Sequence, residues 1–202
     1  MSDHPETDRT QFTIVGHRVA LGQLRPELFP LHVEWVNDPE VGWNIFGSPQ
    51  SRTFEEESGW LERESADPAN RFFLIYAKDE PGWRPIGVSS LTAIDLPGGT
   101  ATFRILIGAP ADRGKGYGTD AVRLVLAHGF GTMGLRNLTL DVFAFNDRAI
   151  RIYEALGFRE IDRQRERIPR DGRLWDRILM TCSSSEFLSL ESPPLRALPV
   201  DE

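Results

Sequence analysis

Ile105-Leu106-Ile107-Gly108-Ala109-Pro110-Ala111-Asp112-Arg113-Gly114-Lys115-Gly116-Tyr117-Gly118-Thr119 is the stretch on which the reading of the fold turns. The apolar run at 105–107 reads as the end of a strand, and Pro110 cannot donate to a continuing ladder. Glycines at 114, 116 and 118 then lead into a helix whose Val122, Val125, Leu126, Gly129, Phe130 and Met133 fall on one stripe. A strand that delivers a glycine-rich turn to a helix N-terminus creates an anion site, because unpaired N–H groups and the positive end of the helix dipole converge there. Gly114, Gly116 and Gly118 permit close backbone approach, Arg113 and Lys115 add charge, and Tyr117 and Thr119 complete the candidate phosphate cradle. The plainer reading is a glycine turn that only starts a helix. The stretch lacks the Gly-Lys-Ser/Thr ending of a P-loop and is not followed by the repeated βαβ units of a dinucleotide fold.

Upstream, Phe12 to Leu21 reads as a first strand with a bulge near Gly16. Pro26 to Val36 has helical spacing, which Asn37-Asp38-Pro39 is expected to stop. Thr53 and Glu56 form a capping box for a second helix that runs to about Asp67. Arg71–Lys78, Pro85–Ile94 and Thr100–Ile107 alternate as strands two to four of an antiparallel meander. Downstream of the third helix come a fifth strand, Asn137–Phe143, and a fourth helix, about Asp147–Leu156, closed by Gly157. A hairpin then turns at Asp171-Gly172. The sum is an α+β fold with a mixed, mostly antiparallel sheet of about seven strands and four helices. The expected organisation is a flexible N-terminus over 1–11, one domain over 12–182, and a tail over 183–202 that wraps the surface or is disordered.

Composition sets limits on function. The chain of 202 residues is 40% apolar with a formal charge of -7, which suits one ordinary globular domain and argues against a general nucleic-acid binder. No apolar run approaches the ~20 residues of a membrane span. A single cysteine, Cys182, excludes an internal disulfide, and no Cys or His pair has zinc spacing, so a reducing cytoplasm and no metal are expected. The four histidines are scattered, without the partners of a hydrolase triad. Trp35, Trp43, Phe46 and Trp60 could line an acceptor pocket, although aromatic residues at such spacing more often belong to the core.

A second chemical element is Asn146-Asp147-Arg148-Ala149-Ile150-Arg151-Ile152-Tyr153-Glu154-Ala155-Leu156-Gly157-Phe158. Ala149, Ile152, Tyr153 and Leu156 share a face, so a phenol hydroxyl starts from the buried side and needs a partner. Taken alone, Asn146 is a helix cap and Tyr153 a core aromatic. Together with Arg113, Gly116 and Gly118, matching Arg/Gln-x-x-Gly-x-Gly/Ala, the chain resembles the GNAT N-acetyltransferases over about Thr13 to Met180. Trp35 to Val41 and Pro85-Ile86-Gly87-Val88 are similar to the branch that holds ribosomal-protein N-terminal acetyltransferases and spermidine acetyltransferases.

The resemblance implies direct transfer of an acetyl group from acetyl-CoA to a primary amine, of a small molecule or a protein N-terminus. It implies that strands four and five splay apart beyond Ile107, that the backbone of Ile105, Leu106 and Ile107 contacts the acyl group, that Asn146 meets the pantetheine arm, and that Tyr153 protonates the departing thiolate. It leaves open a homodimer. Many members of the branch carry a Glu where this chain has Thr102, within Ala101-Thr102-Phe103-Arg104-Ile105, and Thr cannot be a general base at neutral pH. Water, Asp38 or a shifted strand register are the alternatives, and a non-catalytic acyl-CoA-binding or sensing module is the competing function. Arg104 would discourage polyamines and favour acceptors bearing a carboxylate or phosphate, unless it only forms a surface ion pair. The seven arginines from Arg159 to Arg177 are offset by Glu160, Asp162, Glu166, Asp171 and Asp176, as in a solvated hairpin.

Overall fold

The computed structural model describes residues 12–79 and 82–190; the N-terminal segment 1–11 and the end of the tail, 191–202, lie outside the described residues. Eight strands form one sheet: β1 (Phe12–Val15), β2 (Val19–Gln23), β3 (Arg71–Asp79), β4 (Gly82–Asp95), β5 (Thr100–Ile107), β6 (Asn137–Phe143), β7 (Arg159–Arg170) and β8 (Arg173–Ser183). Their order is β1-β2-β3-β4-β5-β6-β8-β7. All neighbours are antiparallel except β5 and β6. The expected bulged first strand is two strands, because a turn at Gly16, whose N–H donates to the Val19 carbonyl at 2.9 Å, folds it into a hairpin.

Six α-helices are found among the described residues: α1 (Phe29–Val36), α2 (Pro39–Phe46), α3 (Phe54–Ala66), α4 (Tyr117–Ala127), α5 (Asp147–Ala155) and α6 (Ser184–Leu190). None of them is long and apolar enough to cross a membrane. Two helices were absent from the sequence reading. Asn37-Asp38-Pro39 does end α1, but Asp38 then caps α2, accepting from the N–H groups of Glu40 and Val41 at 3.0 Å, and Pro39 occupies its first position. The other is α6, which follows β8 directly within the expected tail and buries Phe187 against Phe130. The Thr53–Glu56 capping box closes in both directions, at 3.2 and 3.0 Å.

The run at 73–77 is apolar without alternation because β3 is covered on both faces. Phe73, Ile75 and Ala77 enter the larger core with Val122, Val125, Leu138 and Leu156, while Leu74 and Tyr76 join Trp35 and Val88 on the opposite face. The β7–β8 hairpin turns at Asp171 (φ 53°) and Gly172 (φ 75°), two left-handed residues in succession, as the Asp-Gly pair predicts.

The feature that positions the site is where β5 leaves β6. The two strands pair in parallel at Thr100–Asn137, Ala101–Leu138 and Thr102–Thr139 and no further. On its other edge β5 stays bonded to β4 as far as Ile107. The expected splay of strands four and five is therefore present, and it opens at Thr102, five residues earlier than expected.

Candidate active site

The gap between β5 and β6 is one wall of a cavity of about 480 Å³. Of the residues singled out from the sequence, Ile105, Leu106, Ile107, Arg113, Gly116, Gly118, Thr119, Asn146 and Tyr153 line it. Gly114, Lys115 and Tyr117 do not line it: the first two are exposed on the outer side of the loop, and Tyr117 packs against the larger core. Thr102 lies in the paired part of β5 and does not line the cavity.

The glycine loop is held in shape by three arginines, two of which the sequence reading passed over. Arg84 donates both Nη atoms to buried Asp112, at 2.8 and 2.7 Å, and its Nε to Asp79 at 2.8 Å. That paired geometry holds the Asp112 carboxyl below its ordinary value, against the opposing effect of burial. Arg113, whose charge could meet a phosphate, is engaged within the protein. Its guanidinium donates to Glu40 at 2.6 Å, to Asp38 at 3.1 Å, and to the carbonyls of Ile107, at 3.3 Å, and Gly108. Its charge thus ties the loop to the end of β5 and the start of α2.

Asp38 is correspondingly unsuited to be a base. Burial is the strongest single influence on it and opposes ionisation, yet the Val41 N–H, the Arg113 guanidinium and the Glu40 N–H together hold its carboxyl below the ordinary value. The third anchor is Arg18, which pairs with Asp120 at 2.8 Å and donates to the Lys115 carbonyl at 3.1 Å.

Within this frame Gly114 (φ 83°) and Gly116 (φ 84°) adopt left-handed conformations, and Gly116 precedes α4 with no side chain capping the helix. The first-turn N–H groups of α4 are left to the cavity mouth, a nest that suits phosphate oxygens. A Cβ on Gly116 would meet the Arg18 guanidinium at 2.8 Å. The anchors and the glycine depend on each other.

On the facing side, Asn146 caps α5 by accepting from the Ala149 N–H at 3.2 Å, which leaves its side-chain amide N–H groups for a ligand. Tyr153 is buried, with its ring against Phe158 (5.6 Å) and Phe103 (6.4 Å). Among the described residues no hydrogen-bond partner for its hydroxyl is found. Burial first, and then the negative charge of Asp141, push this phenol above its ordinary value.

Sequence reasoning also missed α2 as a wall, through Val41, Asn44 and Ile45, together with Asp141, Arg148 and Arg170. Arg148 projects from the first turn of α5 until its guanidinium is 3.7 Å from the position a Gly114 Cβ would take. These residues come together only through the sheet crossover, so no local spacing announces them. Arg104 both lines the cavity and pairs with Asp141 at 3.6 Å, while Arg177 holds the same carboxylate at 2.7 Å.

The cavity thus combines a strand edge laid open with an uncapped, anchored glycine loop. The family profile described as Acetyltransferase (GNAT) domain matches residues 18–159. Spermidine N(1)-acetyltransferase of Escherichia coli (strain K12) is 31% identical over 143 residues, 71% of this chain and 74% of that protein. Alpha/beta-tubulin-N-acetyltransferase 9 of Mus musculus is 26% identical over 158 residues, 73% of this chain and 64% of that protein, so the chain spans under two thirds of that relative. The crystal structure of spermidine N-acetyltransferase from Vibrio cholerae in complex with CoA and spermine superposes with a TM-score of 0.75 at 24% identity, covering 85% of this chain and 98% of that one. The chain belongs to the GNAT acetyltransferase family, and the family and its relatives support acetyl-CoA-dependent N-acetyltransferase activity on amines.

Proposed function

We propose that acetyl-CoA lies with its pyrophosphate over the loop from Arg113 to Gly118 and the first turn of α4, its pantetheine arm in the gap between β5 and β6, and its thioester beside Ile105–Ile107. The observation that carries this reading is the parting of the strands after Thr102–Thr139, next to a helix start that no side chain caps. The gap exposes one backbone edge of β5, which can donate to a thioester carbonyl as an oxyanion site does. Arg148 and the loop N–H groups supply the positive field for phosphate, and Asn146 supplies amide donors for the pantetheine arm.

The amine attacks the thioester carbon directly, and the sulfur leaves as thiolate. A free primary amine with a pKa near ~10.4 must first lose a proton. Three of the four lining carboxylates are committed to arginines, Glu40 to Arg113, Asp112 to Arg84 and Asp141 to Arg177, and the fourth, Asp147, is exposed in the first turn of α5. We therefore assign the ammonium proton to water in the gap. Tyr153, which retains its proton, donates to the thiolate.

Release of free thiol from acetyl-CoA, followed over a panel of amines, amino acids and peptides, tests this reading. Amine-dependent release supports it. Binding of acetyl-CoA without release on any amine would overturn it.

A further inference from the structure

Part of the cavity wall, taken here as the acceptor end, is built by α2, Phe145 and Arg170. Arg170, the last residue of β7, lays its guanidinium over the Phe145 ring at 4.4 Å and the Trp43 ring at 5.2 Å. Phe145 is itself fixed by stacking on Phe143 at 5.4 Å and by the edge of Trp175 at 5.7 Å. A guanidinium restrained against two rings loses less freedom when its N–H donors engage a carboxylate in two parallel hydrogen bonds. Its acidic neighbour is Asp171, at 3.4 Å from Nε and 82% exposed, a surface pair of the kind that holds little energy.

The balance of charge in the cavity points the same way. A polyamine acceptor needs carboxylates with capacity to spare. Here Glu40, Asp112 and Asp141 are each within 2.8 Å of an arginine nitrogen, and Asp147 is exposed in the first turn of α5, where the helix dipole already favours it. Arg104 adds a half-exposed guanidinium whose contact with Asp141, at 3.6 Å, is weaker than that of Arg177. The acceptor end therefore presents cations with donors to offer.

We infer that the acceptor is an amine that also carries a carboxylate, with the carboxylate held by Arg170 and the amine directed into the gap. This rests on the acetyl-transfer reading above and names its substrate class. It sets the chain apart from the spermidine acetyltransferases to which it is similar.

The test is thiol release from acetyl-CoA by the full-length wild-type enzyme with amino acids and ω-amino acids of graded length, each beside its carboxamide, and with spermidine and an aminoalkyl phosphate as further arms. A carboxylate acceptor should exceed its carboxamide in kcat/KM by at least about tenfold, since a site built to bond a group rejects the analogue that lacks it. Arg170→Gln should collapse that ratio by raising KM for the carboxylate while the dissociation constant of acetyl-CoA holds, and Arg170→Lys should restore part of it. The wild-type comparison decides the matter even if a variant fails to fold. Preference for spermidine or for the phosphate, or equal use of carboxylate and carboxamide, would overturn the inference and leave acetyl transfer standing. Absence of release with every amine would overturn both.

Discussion

Tyr153 keeps its proton because everything around it penalises a phenolate: burial foremost, then the carboxylate of Asp141. A folded value raised above the ordinary 10.0 means that whatever stability the neutral phenol contributes is fully present below that pH and lost only as pH rises through the higher folded value. Tyr153 is thus an acid at every pH where the enzyme would work, and its titration should not shape the rate profile below about pH 10. Tyr153→Phe retains the contacts with Phe103 and Phe158, so the melting temperature should stay close to wild type while turnover falls ~10²-fold to 10⁴-fold. If turnover remains within about threefold, with chemistry shown to limit the rate, Tyr153 is a core aromatic and not the acid. Arg113 makes the opposite prediction. Arg113→Met removes donors from two carboxylates and two carbonyls in a part-buried setting, which should lower stability by about 1–3 kcal/mol and also weaken acetyl-CoA binding through the loop. Urea midpoints and calorimetric affinities on the same variant would separate it from a phosphate contact, whose loss would change affinity alone.

At the scale of elements, the sequence was most legible where one signal had one meaning. The Thr53–Glu56 box, the Asp171-Gly172 turn and the meander from β3 to β5 are local chemistry, and the structure bears each of them out. Asn37-Asp38-Pro39 misled because a helix stop and a helix start use the same residues: the Asp that ends one apolar stripe caps the next helix, and Pro fits its first turn. With α2 unread, the wall that carries Asn44 and Ile45 was invisible, and so was the true partner of Arg113. Arg18 and Arg84 could not have been foreseen, since each meets the loop from more than 25 residues away in sequence, Arg18 from the β1–β2 turn and Arg84 from β4. The glycine motif pointed to a candidate phosphate site, but not to what holds the glycines in place.

The helix α6 has a testable latch. Glu186 accepts from the Ser183 hydroxyl and N–H, each at 2.7 Å, and from Arg159 at 2.9 Å. These bonds, the Ser183 hydroxyl first, lower its carboxyl to about 2. A depressed value places the latch's contribution above the ordinary 4.5, to be lost as pH falls through about 2. Amide exchange over 184–190 should therefore quicken in Glu186→Gln at neutral pH, and in wild type only on strong acidification, while β3 and β4 stay protected. Exchange over 184–190 that is unchanged in the variant would show that buried Phe187 alone holds the helix.

For the molecule as a whole, a formal charge of -7 opposes an anionic carrier at long range, so recognition of acetyl-CoA must come from local geometry. The site proposed for it lies where α4 begins without a cap and where Arg148 reaches over Gly114. Binding there can take place only in the folded state, because the loop owes its shape to Arg18, Arg84 and Arg113, which arrive from three separate regions of the chain. Acetyl-CoA at about 100 times its dissociation constant should then stabilise the fold by ~2.7 kcal/mol. For a chain of this size each kcal/mol is worth roughly 2–4 °C, which gives an expected rise in melting temperature of about 5–11 °C. Gly116→Val places a branched side chain at φ 84°, where its Cβ would lie 2.8 Å from the Arg18 guanidinium. The variant should fold, because Gly116 itself lies outside both cores, but most of the rise should be gone at the same ligand concentration. Melting curves with acetyl-CoA settle the point: an undiminished rise in Gly116→Val would remove the pyrophosphate from this loop.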